Sequence, residues 1–239
     1  MSTKKMLLSG FPKVGDKVEL PNIASLLAMP WFQYADADEV YRHGGDIYRN
    51  LLDKIPLMHN RKHVLITSRV QLLSPSKVSI KFVDRWHTDG SGSPLLTQNN
   101  DITHLLISKC SAVTQFNSQV AETDFLPENI SQMEFNHYIE ENKDRLGLVA
   151  QDIEAERFVT FGASHAHRAV LPKELEFRFM FRVIESDIFQ PASFEQSLVT
   201  DSFTYNENPD GTQFTIDKFE KTAAYKSIEQ LKDKVIINL

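Results

Sequence analysis

The stretch Leu175-Glu176-Phe177-Arg178-Phe179-Met180-Phe181-Arg182-Val183-Ile184 decides the fold. Leu175, Phe177, Phe179, Phe181 and Val183 alternate with Glu176, Arg178, Met180, Arg182 and Ile184. A period of two held over ten residues marks a β-strand, because successive side chains of extended backbone leave opposite faces. One face is apolar throughout. Arg178 and Arg182 project together from the other. Taken alone, they read as the solvated side of an amphipathic strand.

Other strands are expected around this one. His63 to Leu73 and Lys77 to Arg85 are rich in Val, Ile and Leu, with Ser74-Pro75-Ser76 between them as a tight connection. Ile102 to Ser108, Ala112 to Asn117 and Arg157 to Phe161 are further strands. Helices flank them. Val40, Ile47, Leu51 and Ile55 predict a helix over 36–55, ended by Pro56 and weakened at Gly44-Gly45. Ile216, Phe219, Ala223, Ile228, Leu231 and Val235 predict another over about 216–236. Several short strands without alternating helices indicate a mostly β fold with flanking helices, an antiparallel sandwich or barrel. Pro (10) and Gly (9) are scattered, so no flexible linker divides the chain. The expectation is a single domain over 1–239, with a core at about 63–184, a helical N-terminal part at 1–60 and a mixed C-terminal tail at 186–239.

The chain has 239 residues, enough for a substantial core. Lys+Arg 26 against Asp+Glu 32 gives a net charge of −6, which argues against a general nucleic-acid binder. No apolar run approaches the roughly 18 residues that span a bilayer. The start, with a three-residue apolar patch, lacks a secretory h-region. The single cysteine, Cys110, excludes an internal disulfide and a Cys-rich zinc site, and reads as a small buried hydrophobe. A cytoplasmic protein is expected. Asn206-Glu-Asn208-Pro-Asp210-Gly211 reads as a turn, not a calcium loop.

The chemistry-bearing residues lie in two places. Arg85-Trp86-His87-Thr88-Asp89-Gly90 ends a predicted strand. His87 and Asp89, two apart, share a face with Lys81 and Arg85. Trp86 is expected to pack beneath them. About 80 residues later comes Phe161-Gly-Ala-Ser-His165-Ala-His167-Arg168-Ala-Val-Leu-Pro172. A third ligand from here completes two imidazoles and one carboxylate, the set that leaves positions open on non-haem Fe(II). Eleven residues beyond His167 stands Arg178, able to hold a carboxylate bidentately. Either His165 or His167 fits the pattern.

This ordered set, with the stretch FVTFGASHAHRAVLPKELEFRFMFRV, resembles the Fe(II)/2-oxoglutarate-dependent dioxygenases. The likeness covers roughly residues 78–184. It implies a double-stranded β-helix, a jelly-roll core, and Fe(II) held by His87, Asp89 and His167. His167 is favoured over His165 by its His-Arg-Ala-Val-Leu-Pro context and its spacing to Arg178. The likeness also implies Arg178 as partner of the distal carboxylate of 2-oxoglutarate, with Thr114 sharing it, and Arg182 as a substrate contact. Asp89 sets the chain apart from halogenating relatives. A cupin or metallo-hydrolase pattern lacks its expected carboxylate after His167. The expected reaction is O2-dependent hydroxylation of a C–H bond in a small polar metabolite such as a free amino acid. Arg182, Arg85, Lys81 and Arg69 are the cations available to an anionic group on it. The alternatives are a non-enzymatic jelly-roll binding or assembly module and a peptide or protein hydroxylase. No nucleic acid or membrane partner is expected.

Overall fold

The structure is a computed structural model that describes residues 2–58, 61–73, 84–89, 101–174 and 176–199. In chain order its elements are β1 (Thr3–Lys4), β2 (Leu7–Leu8), β3 (Lys13–Lys17), α1 (Ile23–Leu27), β4 (Trp31–Asp36), α2 (Ala37–His43), α3 (Asp46–Leu52), β5 (His63–Leu73), β6 (Ile102–Ile107), β7 (Thr114–Asn117), β8 (Ala121–Glu122), β9 (Leu126–Pro127), α4 (Gln132–Glu141), β10 (Ala150–Asp152), β11 (Arg157–Gly162), β12 (His167–Ala169), β13 (Glu176–Ser186), α5 (Phe194–Ser197) and β14 (Leu198–Val199). The protein is mostly β with flanking helices.

The alternating stretch forms β13, the centre of a seven-stranded antiparallel sheet ordered β14-β4-β5-β13-β6-β11-β3. A three-stranded sheet, β10-β7-β12, is also antiparallel. An isolated bridge between His87 and His167 adds the segment around His87 to its outer side. Two short ribbons, β1-β9 and β2-β8, are also antiparallel.

Parity sorts the large sheet into two faces. Ile66, Val70, Leu106, Phe158, Phe179, Phe181 and Val183 pack with Val40, Tyr48 and Leu51 from α2 and α3. A fully buried Phe or Leu here contributes about 2 kcal/mol of transfer free energy. On the other face Leu105, Ile107, Val159, Phe161 and Met180 meet Val113, Phe116 and Ile153 around the small sheet. A third cluster joins Trp86 and Ala166 to Phe135 and Ile139 of α4 and to Met6 and Leu8.

The helix expected over 36–55 is two helices, α2 and α3, broken at Gly44-Gly45. A Cβ on Gly44 would lie 2.6 Å from the Val40 carbonyl oxygen and 2.8 Å from the Tyr48 ring, and Gly45 has φ 95. The N-terminal 60 residues, expected to be helical, instead alternate strands β1–β4 with three short helices. β3, β4 and β14 extend the large sheet beyond the expected 63–184 core. The strand expected over Lys77–Arg85 lies outside the described residues up to 83, and Asp84 and Arg85 stand in a turn. The Ser74-Pro75-Ser76 connection, the 216–236 helix and the 206–211 turn also lie outside them. Among the described residues no helix is long and apolar enough to cross a membrane.

Candidate metal centre and its cavity

His87 and His167 stand opposite each other in the antiparallel bridge, so both rings leave the same side. The bridge is reciprocal: His87 N–H donates to His167 O at 3.0 Å, and His167 N–H donates to His87 O at 2.8 Å. The rings approach to 4.4 Å between centroids. Asp89, two residues after His87, turns its carboxylate to the same point. Ligand atoms of His87, Asp89 and His167 all lie within 4.8 Å of one another, a group that could hold a metal ion.

Both rings are set in one tautomer. The His87 Nδ1–H donates to the Arg85 carbonyl at 2.7 Å, and the His167 Nδ1–H donates to the His165 carbonyl at 3.0 Å. A carbonyl only accepts, so Nδ1 carries a proton in each ring and Nε2 is the nitrogen left to bind a metal. Burial, reinforced by His87, pushes His167 down to about 4, so the ring is neutral near neutral pH. Burial works to raise the Asp89 carboxyl, but its neighbours His167, Arg182 and His87 outweigh it and hold it below the usual range. Phe116 stacks on His167 at 5.1 Å, and Phe161 lies 5.3 Å away, covering the imidazole from water.

A polar stripe of α4 holds the ligand segment from behind. His87 and Asp89 face the cavity, while Trp86 and Thr88 face α4 and are buried. The Trp86 N–H donates to Glu140 Oε2 at 2.8 Å, and the Thr88 N–H donates to Asn136 Oδ1 at 2.9 Å. Gln132 Nε2 donates to the Thr88 carbonyl at 2.8 Å. Gln132, Asn136 and Glu140 are four residues apart, one face of a helix. Arg168 caps the arrangement, its guanidinium 4.8 Å over the Trp86 ring.

The centre opens on a cavity of about 130 Å³ lined by Arg69, Gln71, Thr114, Arg178, Met180 and Arg182 among others. Arg178 and Thr114 are 6% exposed each. Burial lowers the Arg178 guanidinium from its ordinary value, and burial with the Arg182 and Arg178 charges lowers Arg69 to about 10. Arg69 Nε, Gln71 Nε2, Arg178 Nε and Arg182 Nε are buried without a hydrogen-bond partner among the described residues. A second cavity, lined by Tyr34, Asp101, Thr103, Ile184 and Phe189, shares Asp89 and Arg182 with the first.

The structure thus gathers His87, Asp89, His167, Thr114, Arg178 and Arg182 in one place. Arg85 is exposed and absent from the cavity lining, because residues 84–89 form a turn and a single bridge and strand parity does not extend back to 85. Lys81 lies outside the described residues. His165 points elsewhere, since the turn at 163–165 precedes β12 and its Nδ1 accepts from the Gly162 N–H at 3.1 Å. Trp86 packs beneath the ligand segment as expected. Cys110 sits against the cluster around Phe116, where burial raises its thiol to about 11. Gln71, Tyr34 and the α4 stripe were not singled out by the sequence. A signal for α4 was present: Ser131 and Glu134 form a capping box, with Ser131 N–H donating to Glu134 Oε2 at 2.9 Å.

No protein-family model, curated protein or solved structure matches the chain.

Proposed function

We propose that the protein is an Fe(II)- and 2-oxoglutarate-dependent oxygenase that hydroxylates a C–H bond of a small polar molecule. One observation carries the reading: two imidazole Nε2 atoms and a carboxylate converge within 4.8 Å on a cavity that also holds a buried guanidinium, Arg178, whose Nε has no partner among the described residues. Two imidazoles and one carboxylate suit ferrous iron and leave coordination positions free. Arg178, with Thr114 beside it, suits the distal carboxylate of a dicarboxylic keto acid. The two antiparallel sheets, with the centre between them, support a double-stranded β-helix.

When bound, the iron and the keto acid supply oxygen activation coupled to oxidative decarboxylation. The chain supplies position and environment. His87, Asp89 and His167 would hold the metal, and Arg178 would hold the distal carboxylate of the keto acid. Phe116 and Phe161 keep water from the His167 ring. The α4 stripe stops the ligand segment from drifting, which matters because a small misplacement costs catalytic geometry.

Anaerobic titration with Fe(II) and 2-oxoglutarate tests the reading. A stoichiometric visible charge-transfer band is expected. It disappears in Asp89→Ala and needs more 2-oxoglutarate in Arg178→Ala. Folded wild-type protein that binds Fe(II) and gives no band overturns the reading and leaves a non-enzymatic binding module.

A further inference from the structure

Arg178 has a carboxylate on its own strand that does not pair with it. Glu176 stands two residues away on β13, on the same face. Long side chains of opposite charge at that spacing are within reach of each other, and an Arg–carboxylate pair is among the stronger polar contacts. Burial lowers the Arg178 guanidinium, while Cys110 and Glu176 work the other way, so the two charges sense each other. Yet the Arg178 Nε has no partner among the described residues.

The Glu176 carboxylate is occupied elsewhere. β6 pairs with β13 as far as Ile107 opposite Met180, and the Ser108 N–H closes that ladder on the Phe179 carbonyl at 3.0 Å. The chain then crosses to β7 in the small sheet. On this crossing the Ser111 N–H donates to Glu176 Oε1 at 3.0 Å and to Oε2 at 2.9 Å. The Ser111 hydroxyl donates to Oε1 at 2.7 Å, and the Ala112 N–H donates to Oε1 at 3.0 Å. The hydroxyl is aimed: Lys173 N–H donates to Ser111 Oγ at 2.7 Å, which leaves the hydroxyl proton for the carboxylate. Hydrogen bonds to an ionised acceptor are roughly twice as strong as neutral ones. Two residues after Ala112, Thr114 begins β7 and lines the cavity. One loop therefore ties up Glu176 and delivers Thr114.

We infer that Ser111 and Ala112 are positioning residues for the cosubstrate: they hold the Glu176 carboxylate away from Arg178 and leave that guanidinium open to the distal carboxylate of a dicarboxylic keto acid. The identity of the acid rests on the oxygenase reading; the hold on Glu176 does not. A released Glu176 competes with the acid for Arg178, and apparent affinity falls with the fraction of molecules whose guanidinium is still open.

Calorimetry follows 2-oxoglutarate binding to full-length protein loaded with Zn(II), a redox-inert ion, with folding checked by circular dichroism. Ser111→Ala should weaken binding by about threefold or more, and Ser111→Thr, which keeps the hydroxyl, should stay close to wild type. Adding Glu176→Gln to Ser111→Ala should restore most of the lost affinity, because the competing charge is gone. A loop that serves only as scaffold cannot give that rescue. A double variant no tighter than Ser111→Ala overturns the inference, and so does Ser111→Ala with wild-type affinity. A second arm needs no ligand. Urea unfolding of Glu176→Gln, Arg178→Met and their double variant measures the coupling of the two side chains. Additive effects are expected in the wild-type background, and coupling in the Ser111→Ala background. Coupling already present in wild type overturns the inference. Folded, Zn(II)-loaded wild type that fails to bind 2-oxoglutarate removes the oxygenase reading, and the unfolding cycles alone then decide whether Ser111 keeps Glu176 from Arg178.

Discussion

Two histidines on opposite sides of the large sheet show how the same residue serves folding or chemistry. His104, on the helix-packed side, has both ring nitrogens engaged. Its Nε2 lies 2.9 Å from Glu185 Oε1, and its Nδ1 lies 2.9 Å from Thr160 Oγ1. Neither His104 nor Glu185 has any exposed side-chain area. His167, on the cavity side, has only Nδ1 engaged, by a backbone carbonyl. Its Nε2 faces Asp89 at 3.6 Å, beyond hydrogen-bond range. The surroundings repeat the contrast. On the helix side the buried Tyr48 hydroxyl donates to the Pro30 carbonyl at 2.7 Å. On the cavity side four donors of Arg69, Gln71, Arg178 and Arg182 are unmet among the described residues. A core satisfies its polar groups internally; a site holds them in place and leaves them open.

The sharpest break is at the metal donors. Asp89→Ala or His167→Ala should abolish turnover, and metal affinity should fall by more than the roughly 10–100-fold that loss of an outer-shell partner costs. Direct metal titration checks this. Asp89→Ala that retains coupled turnover would sink the ligand assignment.

On the closed side, the largest effect is on stability. Phe181 is fully buried between β13 and the helices, and Phe181→Ala should cost about 3–5 kcal/mol in urea unfolding. On the open side the sign reverses. Arg178→Met removes a buried donor that has no partner among the described residues, so the ligand-free protein should hold its stability or gain about 1–3 kcal/mol. The same variant should bind 2-oxoglutarate at least about tenfold more weakly. A large loss of stability in Arg178→Met would show that the cavity side is ordinary core.

Asn136→Ala sharpens the comparison from behind the site. It removes the acceptor of the Thr88 N–H, and metal affinity should drop by about 10–100-fold. Unfolding free energy should fall by only about 1–2 kcal/mol. A change in stability with no change in metal affinity would make the α4 stripe a packing feature alone.

The smallest effect is the pH response of His104. Burial lowers its pKa below 6.5, so the unfolded chain binds the extra proton first. Metal-free stability should therefore decline as pH falls below about 6.5. His165 and His167 shift in the same direction. His104→Gln should flatten the slope between pH 7 and pH 5 without removing it. An unchanged slope would mean that His104 binds its proton equally in the folded and unfolded chain.

Much of this contrast is legible in β13. Its alternation predicts both faces, and His87, Asp89, His167, Thr114 and Arg178, which the resemblance groups together, line one cavity. What the sequence hides depends on register. That Arg69 stands opposite Met180, between two arginines, follows from strand pairing, not from spacing within one strand. Parity misleads at Arg85 because Asp84 and Arg85 stand in a turn. The choice between His165 and His167 depends on a three-residue turn. The α4 stripe is hidden for a different reason: Gln132, Asn136 and Glu140 look like a solvated helix face, and only their contacts with the backbone at 86–88 give them meaning.

The most direct measurement compares the two histidines under one substitution. Mn(II) binding to wild type, His104→Gln and His167→Gln is followed by the loss of the free-ion electron paramagnetic resonance signal. A single bound ion per chain is predicted for wild type and His104→Gln, and none for His167→Gln. Equal binding in the two variants, or no binding in folded wild-type protein, would contradict the division of the sheet into a closed side and an open one.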